Sequence, residues 1–276
     1  MVRPLAFLVG LFFAGMLLYS ALRGAINYVA EPPKPTAEHE FHKHPKHVSF
    51  AHEGLLGKFD RAQLQRGFQV YKEVCSACHS LSRVAFRDLE NIGYSEGQIK
   101  TIMTEWDGKA KQPTQDPRTL EAGERNNIAA DKFPKVGYAG QGAPPDLSLI
   151  TKARHDGPAY VYSLLTGYAE PDPRLAKEFP DSLPGEGLHH NPYFANLNLA
   201  MSAPLIAEGQ VSYAEGNPKP TVSQMSKDVS AFLTWTAEPK LENRKQAGLA
   251  TLLFLLAFTW LAWMSYQNIW SDKKKR

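Results

Sequence analysis

The sequence predicts a mainly α-helical domain with long loops, followed by a C-terminal transmembrane helix. Three observations predict it. Apolar residues recur at steps of three or four in several separate stretches, and no alternation of period two is sustained. Between those stretches, above all at 107–142 and 170–192, the chain is rich in Pro, Gly and charge. Near the end, Ala247 to Trp270 is uncharged throughout, too long and too uniformly apolar for a core helix.

Length and composition fit that class. With 276 residues, 43% hydrophobic and 21% charged, the chain can build one good-sized core plus membrane segments. A formal charge of +3 gives no reason to expect nucleic-acid binding. Between positions 101 and 190 there are 13 Asp and Glu against 10 Lys and Arg. That slight acidic excess could attract a basic partner, but an ordinary solvated surface is the favoured reading.

Taken in order, the chain opens with an apolar run, Leu5 to Leu22, behind Arg3. It reads as an export signal or a retained N-terminal anchor within residues 1–30, and no clean small-x-small cleavage site follows it. Residues 31–48 are rich in Pro, charge and His and read as a linker. His39, His42, His44, His47 and His52 lie in or just beyond it, too irregularly spaced to favour a metal site over a solvated linker. Asp60, with Gln63 three residues on, caps a helix whose buried stripe is Leu64, Phe68, Tyr71 and Val74/Cys75. Tyr94 to Trp106 carries a second helical stripe through Ile99, Ile102 and Met103.

From 107 to 142 the pattern dissolves, and a long surface loop is expected. Asp156-Gly157-Pro158 opens a helix through Tyr160, Val161, Leu164 and Leu165, stopped by Gly167. Thr221 to Gln224 forms a capping box, starting a helix with Met225, Val229, Phe232 and Leu233 on its buried face and Pro239 at its end. The span 247–270 follows, with Trp260, Trp263, Tyr266 and Trp270 toward its far end, and then a basic tail at 271–276. Aromatic residues favour the membrane interface, and the Lys273–Arg276 cluster favours the cytoplasmic side. Lys240, Arg244 and Lys245 at the near end blunt that charge rule.

The chemistry is concentrated in Val74-Cys75-Ser76-Ala77-Cys78-His79-Ser80. Cys-x-x-Cys-His is the attachment signature of a c-type haem. Two thiols about one turn apart reach the two vinyl groups of one porphyrin, and the histidine after the second thiol is held under the iron. A structural zinc site would need four ligands, and the chain has only two cysteines. A thioredoxin-like pair would sit in a βαβ context, which is absent from the pattern. Residues 49–243 therefore form a haem domain, with one covalent haem c. Because such attachment takes place outside the cytoplasm in bacteria, the motif orients the anchor.

A six-coordinate electron carrier needs a ligand opposite His79. Met103 and Met225 sit on helical stripes, where methionine more often fills core. Met201 lies in a non-helical stretch, Asn198 to Pro204, from which a loop can bring sulfur to iron. His155, His189 and His190 compete with it.

Arg66-Gly67-Phe68-Gln69-Val70-Tyr71-Lys72-Glu73-Val74-Cys75-Ser76-Ala77-Cys78-His79-Ser80 resembles the haem-attachment region of the cytochrome c1 family. So do Pro144 to Ser148, Ala153-Arg154-His155, Tyr160 to Tyr168, Asn191 to Phe194, Met201 to Pro204 and Met225 to Val229. The match runs in order from Ser49 to Arg244. It implies a cytochrome-c-like haem domain with His79 and Met201 as axial ligands, and Arg154 and Tyr160 near a haem propionate. An arginine fork and a phenol suit a partly buried carboxylate.

The resemblance further implies the haem subunit of the cytochrome bc1 complex, a dimeric assembly with cytochrome b. That subunit takes one electron from the Rieske iron–sulfur protein and passes it to a soluble cytochrome c. With a bacterial inner membrane as the expected home, the haem domain would lie in the periplasm. The family's Ala-Arg-x-Ala-Asn-x-Gly-Ala run is replaced here by the shorter Gly137 to Ala143, which lacks its Arg and Asn. A membrane-tethered shuttle cytochrome, or a cytochrome subunit of another respiratory enzyme, is the alternative reading.

Overall fold

The computed structural model describes residues 2–274 apart from Pro33, Ala139 and Gln141. The chain runs through α1 (Val2–Ala30), α2 (Ala37–Phe41), α3 (Arg61–Glu73) and α4 (Glu96–Asp107). A hairpin follows, β1 (Gln112–Gln115) and β2 (Ala122–Arg125), and then α5 (Gly157–Leu165) and α6 (Pro173–Glu178). A two-residue ladder of β3 (His189–His190) and β4 (Asn198–Leu199) precedes α7 (Val222–Ala237), α8 (Leu241–Ile269) and α9 (Ser271–Lys274). The fold is mainly α, with an apolar C-terminal helix.

The domain is framed by α3 and α7, which lie against each other although some 160 residues separate them. Asp60 caps α3 by accepting the Gln63 N–H at 3.2 Å. The predicted stripe is buried at Leu64, Phe68 and Tyr71, each at most 1% exposed, and half-buried at Val74 and Cys75. Gly67 lets the two helices touch, because a Cβ there would drive into the Asp228 carbonyl and meet Phe232 Cβ at 2.6 Å. Beside that contact the Asp228 carboxylate is fully buried. Arg66 Nε donates to it at 2.9 Å, and the amides of Gln63 and Gln224 add bonds of 3.0 and 2.8 Å. A buried charge survives only when paired and hydrogen-bonded in this way.

This network alters one expectation. Thr221 Oγ1 does accept the Gln224 N–H at 3.1 Å, but the Gln224 side chain reaches forward to Asp228. The capping box is half made, because the buried carboxylate outcompetes the cap for the amide.

Phe68, Tyr71, Phe86, Trp106, Phe133 and Phe232 form one aromatic core, with ring centroids 4.3–6.3 Å apart along its contacts. Phe133 comes from the stretch expected to be a surface loop. That stretch is held in three places. Its antiparallel hairpin pairs Gln112 with Arg125. The Arg125 guanidinium grips Asp131 with bonds of 2.6 and 2.7 Å. The Phe133 N–H donates to the Val84 carbonyl at 2.9 Å.

The linker segment is also docked along its second half. Ala37 is buried with Leu175 and Leu197, and Phe41 meets Phe179 edge to face. Lys46 donates its backbone N–H to Ser163 Oγ and its ammonium to the Thr166 carbonyl and hydroxyl. His39, His42, His44 and His47 stay exposed, whereas His52 is buried.

Two helices, Arg3–Ala30 and Leu241–Ile269, are long and apolar enough to cross a membrane; their apolar stretches are exposed, whereas Leu241 at the start of α8 is buried in the core. Of the basic tail, α9 takes up Ser271–Lys274, and Lys275 and Arg276 lie outside the described residues.

Candidate haem-attachment site

The site begins where α3 ends. Val74 closes the helix, and Cys75–Ala77 tightens into a 3₁₀ turn. The N–H groups of Cys78 and His79 both return to the Cys75 carbonyl, at 3.1 and 2.9 Å. The two thiols are thereby fixed one turn apart at the edge of the core. Ser76 Oγ donates to the Lys72 carbonyl at 2.7 Å, and the Tyr71 hydroxyl donates to the His79 carbonyl at 2.9 Å.

Cys75 and Cys78 are both free, half-buried thiols. Burial, reinforced by the neighbouring Cys78, pushes the Cys75 thiol up to about 12.

His79 Nδ1 lies 2.8 Å from the Pro145 carbonyl. A carbonyl can only accept, so Nδ1 carries the proton and the Nε2 lone pair is left for a metal. Such a bond fixes both tautomer and ring orientation. The partner loop is itself laced to the residues after the motif. Asp146 accepts the N–H groups of Ser82 and Ser148, both at 2.8 Å, and Leu147 donates to the Ser80 carbonyl at 3.0 Å. Burial opposes the Asp146 charge, but the hydrogen bonds from Ser148 and Ser82 outweigh it and hold its carboxyl below the usual range.

Met201 is half-buried in the loop after β4. The Tyr168 hydroxyl donates to its carbonyl at 2.9 Å. Burial, with Tyr160 close by, pushes the Tyr168 phenol up, so it stays a donor. Tyr160 is half-buried on α5 and packs against the main core. Arg154 is exposed, and its Nη1 donates to the Ala153 carbonyl at 3.0 Å. Among the described residues it has no acidic partner, which leaves donors for an anionic group.

Two sets of residues result. Cys75, Cys78, His79, Tyr71 and Pro145 form one, and Tyr160, Tyr168 and Met201 the other. They are joined through α7, which packs on α3 and on α5. Of the competing ligands, His155 and His189 are exposed, and His190 is buried in the β3–β4 ladder with Nδ1 3.4 Å from Asn198 Oδ1. Two thiols at turn spacing, an imidazole with Nε2 available and a loop thioether make a donor set that fits a c-type haem.

Pro145, Tyr71 and Tyr168 lie in stretches that the sequence reading named, but it gave them no role at the site. Gly167, expected only as a helix stop, also has a packing role, since a Cβ there would strike the Tyr193 ring and the Ser163 carbonyl.

The model of the Cytochrome C1 family matches residues 50–273. Cytochrome c1 1, heme protein, mitochondrial, of Arabidopsis thaliana is 38% identical over 270 residues, covering 94% of this chain and 82% of that protein. The cytochrome b-c1 complex catalytic subunit, mitochondrial, of Candida albicans is 40% identical over 248 residues, covering 87% and 81%. Cytochrome b/c1 of Bradyrhizobium diazoefficiens is 40% identical over 247 residues, covering 81% of this chain but 35% of that longer one.

Proposed function

Because the chain belongs to the cytochrome c1 family, we propose that Cys75 and Cys78 hold its haem and that His79 and Met201 ligate the iron. The chain is the haem c-carrying electron-transfer subunit of ubiquinol–cytochrome c reductase, anchored in the membrane. When bound, the haem supplies a one-electron ferric–ferrous couple.

The chain's own residues do the positioning. Pro145 sets the imidazole tautomer, Tyr71 steadies the backbone at His79, and Tyr168 holds the Met201 loop. Arg154 and Tyr160 offer an arginine fork and a phenol to a propionate. In this reading the Rieske iron–sulfur protein delivers the electron and a soluble cytochrome c takes it away. Quinol oxidation falls to partner subunits, cytochrome b among them, in a dimeric complex. The domain of residues 49–243 faces the periplasm of a bacterial inner membrane, with 247–270 as its anchor.

The observation that carries the proposal is the hydrogen bond from His79 Nδ1 to Pro145, directly behind two thiols held at one turn. The test is Met201→Leu in the full chain. Loss of a thioether ligand should leave the haem covalently attached, lower its potential sharply and abolish the sulfur-to-iron charge-transfer band. An unchanged potential with the band intact would exclude Met201.

A further inference from the structure

The loop from Phe50 to Phe59 stands where the haem domain meets α8. Its base is fixed in the core by His52, whose ring lies between those of Phe50 and Phe59 at centroid distances of 5.3 and 4.9 Å. The Lys58 N–H closes the loop on the Ala51 carbonyl at 3.1 Å. Gly54 takes a φ of +71°, and Gly57 is turned so tightly that a Cβ would drive into the Glu53 carbonyl. The tip between these glycines presents Leu55 and Leu56, which are 63% and 75% exposed.

The tip faces Glu242, Lys245, Gln246 and Leu249 of α8 across a cleft of about 70 Å³. That is well below the ~300 Å³ at which small-molecule sites begin. At 1.5 Å per residue, α8 is roughly 43 Å long, against roughly 30 Å of hydrocarbon. The surplus falls on its first turns, which carry Glu242, Arg244 and Lys245, and the uncharged run begins at Ala247. Leu55 and Leu56 are therefore level with the change from charged to apolar surface.

The loop backbone is prepared for that level. Lys245 Nζ lies 2.5, 2.6 and 3.2 Å from the carbonyls of His52, Gly54 and Gly57, one acceptor for each of its three donors. Backbone that enters lipid must bring its polar groups already satisfied.

We propose that Leu55 and Leu56 are buried in lipid at the membrane surface beside α8, seating the haem domain on the bilayer. The inference rests on α8 as the membrane anchor and is independent of the ligand assignment. A protein partner is the less suitable occupant. The tip offers it only apolar side chains between two glycines, and three of the loop's carbonyls are already taken.

Photo-crosslinking in native membranes tests this, with benzoylphenylalanine placed at position 56 of the full chain in its assembly. Phospholipid adducts are expected, seen as an increase in the mass of the chain, and none from Glu215, which is exposed in the loop before α7. A crosslink to another polypeptide would overturn the proposal in favour of a protein-covered tip. Absence of adducts, while the same group at Phe258 within the anchor reacts, would place the tip in water and equally overturn it. Position 55 is read in the same way should the first variant fail to assemble, and the c-band of the optical spectrum checks the fold of both.

Discussion

At the scale of single residues, the electron-transfer site depends on bonds between groups far apart in the chain. Tyr168 holds the Met201 carbonyl from 33 positions away, and Pro145 holds His79 from 66. A hydrogen bond of this kind contributes on the order of 1 kcal/mol. Tyr168→Phe should therefore keep the haem but lower stability by about that amount. The sulfur-to-iron band should be lost at a lower temperature than in the wild type, in a thermal scan followed at that band. A scan superimposable on the wild type would show that the phenol does not restrain the loop. Cys75, Cys78 and His79 were legible in the sequence because their chemistry is written in adjacent positions. The roles of Tyr168 and Pro145 were not, although both lie in stretches that carry the resemblance, because long-range partners leave no local pattern.

At the scale of elements, the contact of α3 with α7 is the clearest case of one position deciding a packing. Alanine is favoured over glycine inside a helix by about 1 kcal/mol. At Gly67 that gain is opposed by a Cβ forced into the Asp228 backbone and Phe232, and overpacking costs typically 1–3 kcal/mol. Gly67→Ala should be net destabilising by up to about 2 kcal/mol. Gly97→Ala on α4, where nothing lies within 4 Å, should be neutral or stabilising by up to about 1 kcal/mol. Thermal unfolding of the two variants separates these outcomes, and equal behaviour would mean that the helices do not touch at Gly67. The period of three to four made α3, α4, α5 and α7 readable, and the uncharged run of 247–270 made α8 so. The hairpin at 112–125 was not, since its strands have four residues each and are almost wholly exposed. Nor was the docking of Ala37 to Lys46, whose anchors are isolated residues in a segment rich in Pro and charge.

At the scale of the whole molecule, the junction between domain and anchor carries a pH dependence. Burial, opposed by Glu53 and assisted by Lys245, lowers His52 from 6.5 to about 4. Between those values the unfolded chain takes up a proton at His52 and the folded chain does not. Folding stability should thus be level above pH 6.5 on this account, and fall as pH drops toward 4. The thermal midpoint of the full chain in mild detergent, compared at pH 7.5 and pH 5, should show the drop, and His52→Phe should reduce it. A drop of the same size in His52→Phe would assign it to other groups. The larger organisation, a haem domain on a membrane-spanning helix, exists to relay electrons derived from quinol. That claim is tested most directly by the reduced-minus-oxidised optical spectrum of the assembly that this chain brings out of native membranes. The account predicts b-type haem together with the c-type band, both reduced on adding quinol. A c-type band alone, unmoved by quinol, would contradict it.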